Sequence, residues 1–353
     1  MKIGIMSLAH HHANAYIGNL RAIPGVEMIG IADDDLKRGQ NFARQFDARL
    51  FPSYEALLAE KPDGVLVCSE NVNHRPLVEM AAQAGAHVLC EKPLATTRED
   101  AQAIVDVCRA AGVILMTAFP MRFSAPLQQL KARLDAGDLG QVYCLSTTNQ
   151  GEMPIAHGAW FVDKTLAGGG AMMDHVVHLT DIFNWFFGRD VASVYAQSNR
   201  ILHADAVEVE TGGLLMLQYA NGLFMTIDSS WSKPLNYPTW GGLTMELVSE
   251  RGLTVVDAFS QNLNVYRQQP PGNHWAYWGS DMNQAMVAEF VAAMREGRET
   301  AVTGEDGLFA LEVVLAAYES AALGNPVSLM DVFIEYSERD SRRDAKAQSS
   351  LKL

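Results

Sequence analysis

The sequence has no apolar run of about 18 residues, so no segment is long enough to cross a bilayer as a helix. Cysteine is scarce: Cys68, Cys90, Cys108 and Cys144 are widely spaced and include no C-x-x-C pair. A chain of 353 residues needs no disulfide scaffold, so reduced, mostly buried thiols in a cytoplasm are expected. Positive charge is in deficit as well. Twenty-seven Lys and Arg stand against 41 Asp and Glu, a net charge of −14, and only Lys37-Arg38 and Arg342-Arg343 are adjacent basic pairs. Nucleic-acid partners, which bind first through phosphate neutralisation, are excluded on that count. The apolar start Met1–Met6 meets His10-His11-His12 too soon for a secretory signal. With 48% hydrophobic and 19% charged residues, what remains is a water-soluble chain of two-domain size.

Up to about residue 120, short apolar runs alternate with amphipathic stretches. Ile3–Met6, Val26–Ala32, Val65–Cys68, Val88–Cys90 and Val113–Phe119 read as buried strands, and Leu36–Phe46, Pro76–Ala84 and Arg98–Ala110 as helices. That cadence predicts a parallel sheet with right-handed crossovers, helices on both faces and ligands beyond the strands' carboxyl ends. From residue 121 the pattern becomes α+β. Gln141–Thr148, Val191–Ile201, Leu214–Tyr219 and Leu223–Asp228 read as antiparallel strands, with helices at Ala125–Ala136, Ala171–Phe187, Met282–Glu296 and Gly307–Ala322. Asn221-Gly222 signals a two-residue hairpin turn. The expected units are a parallel α/β domain over 1–120, an α+β domain with a sizeable antiparallel sheet and helices on one face over 121–334, and a polar tail over 335–353.

Glycine is missing where such a fold most needs it. After the first strand, in place of G-x-G-x-x-G, stands Ser7-Leu8-Ala9-His10-His11-His12, in which only Ser7 and Ala9 are small enough for a tight turn. That segment alone leaves a dinucleotide open. The second strand speaks for one: it ends at Asp33, 21 positions after His12, where a carboxylate holds adenosine ribose hydroxyls. Asp34 and Asp35 follow with no adjacent arginine, which favours NAD over NADP. Three acids capping the next helix is the competing interpretation.

Further candidates lie at later strand ends. Ser69, Asn71 and His74 follow one strand, and Glu91-Lys92-Pro93 follows another, where Lys92 can project into the crevice and stabilise charge on a substrate oxygen. Downstream, Gly168-Gly169-Gly170 opens an apolar helix in which Asp174 and His178, four apart, share a face. His178 can take an alcohol proton while Asp174 positions it. His175, about 100° around the helix, is expected to pack or meet solvent. Three adjacent histidines converge poorly on one ion, and H-E-x-x-H is absent, so no metal is expected; His10 and His12 are instead placed beside the cofactor. Trp231, Trp240, Trp275 and Trp278 are candidates for sugar stacking or for core.

Glu91-Lys92-Pro93, Ala118-Phe119-Pro120-Met121-Arg122-Phe123, and the triple glycine with Asp174 and His178 together resemble the Gfo/Idh/MocA oxidoreductases, from Met1 to about Leu329. The resemblance implies an N-terminal Rossmann domain, a C-terminal α+β domain with an open, mostly antiparallel sheet, NAD(P) between them, and Lys92, Asp174 and His178 as the active-site trio. In that family the segment matching Ser69, Asn71 and His74 lies beside the cofactor, and Lys92 touches both nicotinamide ribose and substrate. The loop departs from the family's glycine pattern and looks like a distinct branch; with Asp33, its residues Ser7, Ala9, His10 and His12, and Glu91, complete the expected cofactor contacts. Arg122, Trp160 and Lys164 are candidate substrate contacts. The expected activity is hydride transfer between nicotinamide and a secondary alcohol of a sugar, polyol or cyclitol. A glycoside hydrolase working by transient oxidation and a non-catalytic NAD-binding sensor are the alternatives. A homodimer or homotetramer is expected, because the uncovered face of an open sheet must be buried.

Overall fold

The computed structural model describes residues 1–268 and 271–329. The expected tail and the side chain of Trp275 lie outside the described residues. The chain begins with β1 (Lys2–Met6), α1 (Ala13–Arg21), β2 (Glu27–Ala32), α2 (Leu36–Phe46), β3 (Leu50–Phe51), α3 (Tyr54–Leu58), β4 (Gly64–Val67), α4 (His74–Gln83), β5 (His87–Cys90), α5 (Arg98–Ala111) and β6 (Leu115–Thr117). These six strands form one parallel sheet in the order β3-β2-β1-β4-β5-β6. Buried on both faces, β1 and β4 carry Ile3, Ile5, Val65 and Val67 into the core, which is why they read as unbroken apolar runs. Local signals end the helices. In α5 the Thr97 hydroxyl oxygen accepts from the Asp100 N–H, and Gly112 closes the helix in the left-handed region at φ 66°.

The second unit runs through α6 (Ala125–Asp135), β7 (Val142–Gly151), α7 (Lys164–Ala167), α8 (Ala171–Phe187), β8 (Val191–Asn199), β9 (Gly212–Tyr219), β10 (Phe224–Ser230), β11 (Gly241–Ser249) and β12 (Gly252–Asp257). A hairpin of β13 (Asn262–Gln268) and β14 (Pro271–Tyr277) follows, then α9 (Met282–Glu296), α10 (Gly304–Leu323) and β15 (Val327–Ser328). The larger sheet is ordered β12-β11-β7-β10-β9-β8-β15; its pairs are antiparallel except β7 with β10, which run parallel. Helices α8 and α10 cover one face, and Leu215, Leu217, Met225, Ile227, Met245 and Leu247 fill the space beneath them.

The β7–β10 pair, expected to be antiparallel, is one of three differences from the expected pattern. The turn at Asn221-Gly222 spans three residues: Tyr219 accepts from the Gly222 N–H and donates to Leu223, and only Gly222 takes positive φ (89°). This is a type I turn closed by a left-handed glycine, and it sets Phe224 opposite Gln218. Further, α9 returns to the parallel sheet, with Met294 and Phe290 against Gly64. Gln284 also reaches the Asn19 carbonyl. The chain after residue 120 thus serves both sheets.

Candidate active site

The crevice lies where the parallel sheet's carboxyl ends face α8. A cavity of about 650 Å³ opens there. Its Rossmann wall carries His10, His11, His12 and Lys92, and the opposite wall carries Asn149, Asp174, His175, His178 and Trp240. The segment from Trp278 to Asn283 borders it.

At the centre, Lys92 Nζ lies 2.8 Å from Asp174 Oδ1 and 3.2 Å from the Asp174 carbonyl. Lys92 follows β5, and Asp174 sits in the first turn of α8. Both side chains are more than nine-tenths buried. Burial opposes the charge on Asp174, but Lys92 and then His175 outweigh it and hold the carboxyl well below the usual range. Asp174 Oδ2 faces the Trp231 indole N–H at 3.4 Å and His175 Nε2 at 3.5 Å. One helical turn on, His178 shares the Asp174 face. Burial, reinforced by the Lys92 charge, pushes its pKa well below 6.5, and its Nδ1 is buried without a partner. The result is a neutral imidazole beside an ammonium whose counter-ion is fixed.

The three glycines before α8 make room for protein. A Cβ on Gly169 would collide with the Tyr318 hydroxyl, one on Gly170 with the Glu210 carbonyl, and one on Gly168 would lie 2.9 Å from Thr96. The Tyr318 hydroxyl accepts from the Gly170 and Met173 N–H groups and donates to Glu210 Oε1 at 2.7 Å. The α8 N-terminus is thereby anchored to α10.

The altered loop after β1 is ordered by its own residues. Ser7 takes φ 63°, the left-handed conformation a glycine would adopt there. Ala9 is buried, and its carbonyl accepts from the Trp160 indole N–H at 3.1 Å. His12 Nδ1 lies 3.0 Å from Glu91 Oε1, to which Tyr16 also donates at 2.5 Å. Burial resists the Glu91 charge, but His12 and Tyr16 outweigh it and its pKa is lowered.

Asp33 directly follows β2, but its carboxylate is covered. It accepts from the Leu8 N–H at 2.7 Å and from Arg38 Nε at 2.9 Å. Arg38 is not adjacent to Asp33 in sequence, but five positions on, the first turn of α2 brings its guanidinium back over the strand end. The same guanidinium meets Asp34 at 2.9 Å and Glu70 at 3.6 Å, so three carboxylates surround one cation. Ser69, Asn71 and His74 follow β4. Ser69 Oγ donates to the Glu70 carbonyl, Asn71 Nδ2 donates to the Ala167 carbonyl at 2.8 Å, and His74 Nδ1 lies 3.0 Å from the Pro93 carbonyl. Asn71 Oδ1, His74 Nε2 and His10 Nε2 are buried and unpartnered. Orphaned polar atoms at these strand ends, with the left-handed Ser7 between them, fit a bound dinucleotide.

All three substrate candidates are placed elsewhere. Arg122 is buried in an ion pair with Asp181 (2.6 and 2.8 Å) and meets Asp306 at 3.3 Å, because the chain crossing between the sheets needs its guanidinium there. Trp160 stacks on Phe161 and braces the Ala9 loop, leaving Phe161 to face the cavity. Lys164 is exposed on α7. His175 does not meet solvent: it is buried and lines the cavity 5.8 Å from Trp240. Of the tryptophans, Trp231 is core, whereas Trp240 and Trp278 border the cavity. Asn149 was missed, although a lone amide on the inward side of β7 is the signal that marks it; its Oδ1 is buried without a partner.

Fold and site together define a two-domain NAD(P)-dependent oxidoreductase. A family model described as the oxidoreductase family with NAD-binding Rossmann fold matches residues 3–119, and one described as the GFO/IDH/MocA C-terminal domain matches residues 127–255. The chain belongs to the Gfo/Idh/MocA oxidoreductases. It is 30% identical over 322 residues to D-xylose 1-dehydrogenase (NADP(+)) 2 of Haloferax volcanii, covering 89% of this chain and 97% of the relative. Myo-inositol 2-dehydrogenase of Thermotoga maritima is 26% identical, covering 94% and 99%. Among solved structures, GenD2 from gentamicin A biosynthesis in complex with NAD superposes with a TM-score of 0.84 at 24% identity, covering 93% and 96% of the two chains.

Proposed function

We propose that the protein catalyses reversible oxidation of a secondary alcohol on a sugar, polyol or cyclitol, with NAD as redox partner. One observation carries it. A neutral imidazole, His178, and an ammonium, Lys92, with Asp174 holding that ammonium at 2.8 Å, line one cavity at the seam between the domains. A substrate hydroxyl there gives its proton to His178 while Lys92 donates to the same oxygen and stabilises its growing negative charge. Asp174 holds the Lys92 side chain in place at 2.8 Å. Bound NAD supplies the hydride acceptor. The residues that would hold it are Ser7 and Ala9 in the loop, Asp33 at the end of β2, and Ser69, Asn71 and His74 beyond β4; Glu91 holds His12 in place beside them. The substrate class is supported by relatives named for D-xylose and myo-inositol. A cytoplasmic location accords with three buried free thiols and a fourth half-buried one. Among the described residues no helix is long and apolar enough to cross a membrane.

The test is a panel of sugars, polyols and cyclitols assayed for reduced nicotinamide. Stoichiometric accumulation is expected with at least one of them. With that substrate, His178→Asn should lower kcat by about 10²–10⁴-fold with little change in KM. Near-wild-type turnover in the variant would remove the base.

A further inference from the structure

His10, His11 and His12 do what neighbours in a strand cannot. In extended chain, successive side chains point to opposite faces. Here the backbone turns between β1 and α1, the Ala13 N–H bonding the His10 carbonyl at 3.1 Å. The rings are drawn together, with centroids 4.3 Å apart for His10 and His12, 4.5 Å for His11 and His12, and 5.1 Å for His10 and His11. One ring nitrogen from each lies within 4.8 Å of the others. His10 is 1% exposed, and both His10 Nε2 and His11 Nδ1 are buried without a partner. Buried ring nitrogens left without a partner, in a cluster of three imidazoles, are unusual in a folded interior and call for a ligand. His12 is prepared for one. Its Nδ1 faces Glu91 Oε1 at 3.0 Å, and a carboxylate on one ring nitrogen orients the other to bind a metal.

We propose that His10, His11 and His12 form a binding site for a divalent transition-metal ion, zinc or a first-row neighbour, on the Rossmann wall of the cavity. A donor set of imidazoles alone selects such ions over magnesium or calcium. Three protein ligands leave zinc at least one open position, and here the open side faces the cavity that holds Lys92, Asp174 and His178. An oxygen of a hydroxylated substrate is the ligand that fits it; this last clause rests on the proposed function, the ion site itself does not. Zinc–nitrogen bonds of about 2.0–2.1 Å set tetrahedral ligand atoms about 3.4 Å apart. The nitrogens reach that spacing by rotation of His11 and His12, which are only half-buried, about the fixed ring of His10. Coordination through His10 Nε2 gives up only the 3.3 Å contact from the His12 amide to His10 Nδ1. Glu91 Oε2, 3.8 Å from His10 Nε2, supplies the balancing negative charge.

The experiment uses the full chain, freed of any histidine tag and treated with chelator. Zn²⁺ is titrated by calorimetry, and Co²⁺ is added to read coordination from its visible d–d absorption. One ion per chain and an imidazole-type cobalt spectrum are expected. His11→Gln, whose ring holds no hydrogen bond that the fold needs, should abolish the spectrum with an unchanged melting temperature. Glu91→Gln should weaken binding by about 10–100-fold. No stoichiometric binding, or binding equally tight in His11→Gln, would overturn the site. NAD binding, followed by fluorescence in the same samples, reports separately on the redox assignment: a chain that binds NAD but no metal refutes only the ion site, and one that binds metal but no NAD refutes only the redox reading.

Discussion

Lys92 and Asp174 show what a single buried pair imposes. Replacing Lys92 by Met takes away the ammonium at 2.8 Å and leaves Asp174 only the weaker His175 and Trp231 contacts, in a place where burial opposes its charge. Losing one partner of such a pair costs about 3–5 kcal/mol. The sign with pH follows from the depressed pKa of Asp174 in the folded protein. Its stabilising contribution is complete above the unfolded carboxylate value of about 3.9 and is lost as pH falls below that value. Urea unfolding of wild type and Lys92→Met should therefore show the full gap at pH 7 and a narrowing one below pH ~4. Arg38 offers a second test. Its guanidinium is neutralised by Asp33, Asp34 and Glu70, so NAD should bind more tightly than NADP. Asp33→Ala with Asp34→Ala frees that cation for a 2′-phosphate, and the NADP/NAD affinity ratio should rise about tenfold, or ~1.4 kcal/mol. The trio was legible because strand ends and helical spacing are local properties. Arg38 over Asp33, the diversion of Arg122 to Asp181 and the gathering of the histidine rings were not, since each depends on how a turn folds back.

At the level of elements, α8 is aimed by contacts from outside it. Gly169 and Gly170 let Tyr318 of α10 and Glu210 reach the first turn, where the Tyr318 hydroxyl and Glu210 Oε1 take up N–H groups that a helix start leaves unpaired. Gly170→Ala pushes the Glu210 backbone away and should destabilise the fold by about 1–3 kcal/mol, the scale of overpacking. It should also cut kcat, because Asp174 and His178 ride on the displaced helix. Tyr318→Phe should cost about 1–3 kcal/mol by leaving the Met173 N–H without its partner. Thermal melting and steady-state kinetics on both variants check these values; Gly170→Ala with native stability and turnover would refute the anchoring role. The larger elements were readable because long apolar periodicity survives any context, as in β1, α5 and α8. Helix α1 escaped notice because its start holds His12, whose side chain caps nothing, in place of a Ser, Thr or Asp signal. Strands β11 and β12 escaped because their exposed faces carry Val248, Leu253 and Val255, which blur the alternation expected of a half-solvated sheet.

That blurring has its cause at the scale of the whole molecule. The face of the large sheet opposite α8 and α10 has no covering element among the described residues. Strand register aligns Phe224 of β10, Val248 of β11 and Leu253 of β12 in one row across it through Cys144, and Met216 of β9 with Val255 of β12 in the next. Their exposures run from 43% to 64%, and Leu214 at 59% extends the patch. Exposed apolar side chains spread over several strands, even with Thr226, Ser146 and Glu246 between Met216 and Val255, are what a protein interface covers, and a two-fold contact lets one such face bury its own copy. We expect a homodimer or higher homo-oligomer built on this face. Met216→Arg together with Leu253→Arg places four guanidinium groups in each two-fold interface and should convert the assembly to monomer, read as a halved or quartered mass by light scattering. The active-site cavity lies on the far side, among the ends of the parallel strands and α8, so NAD binding by the monomeric variant should persist. A variant whose mass matches wild type would show that the subunits meet elsewhere, or that the protein is monomeric from the outset.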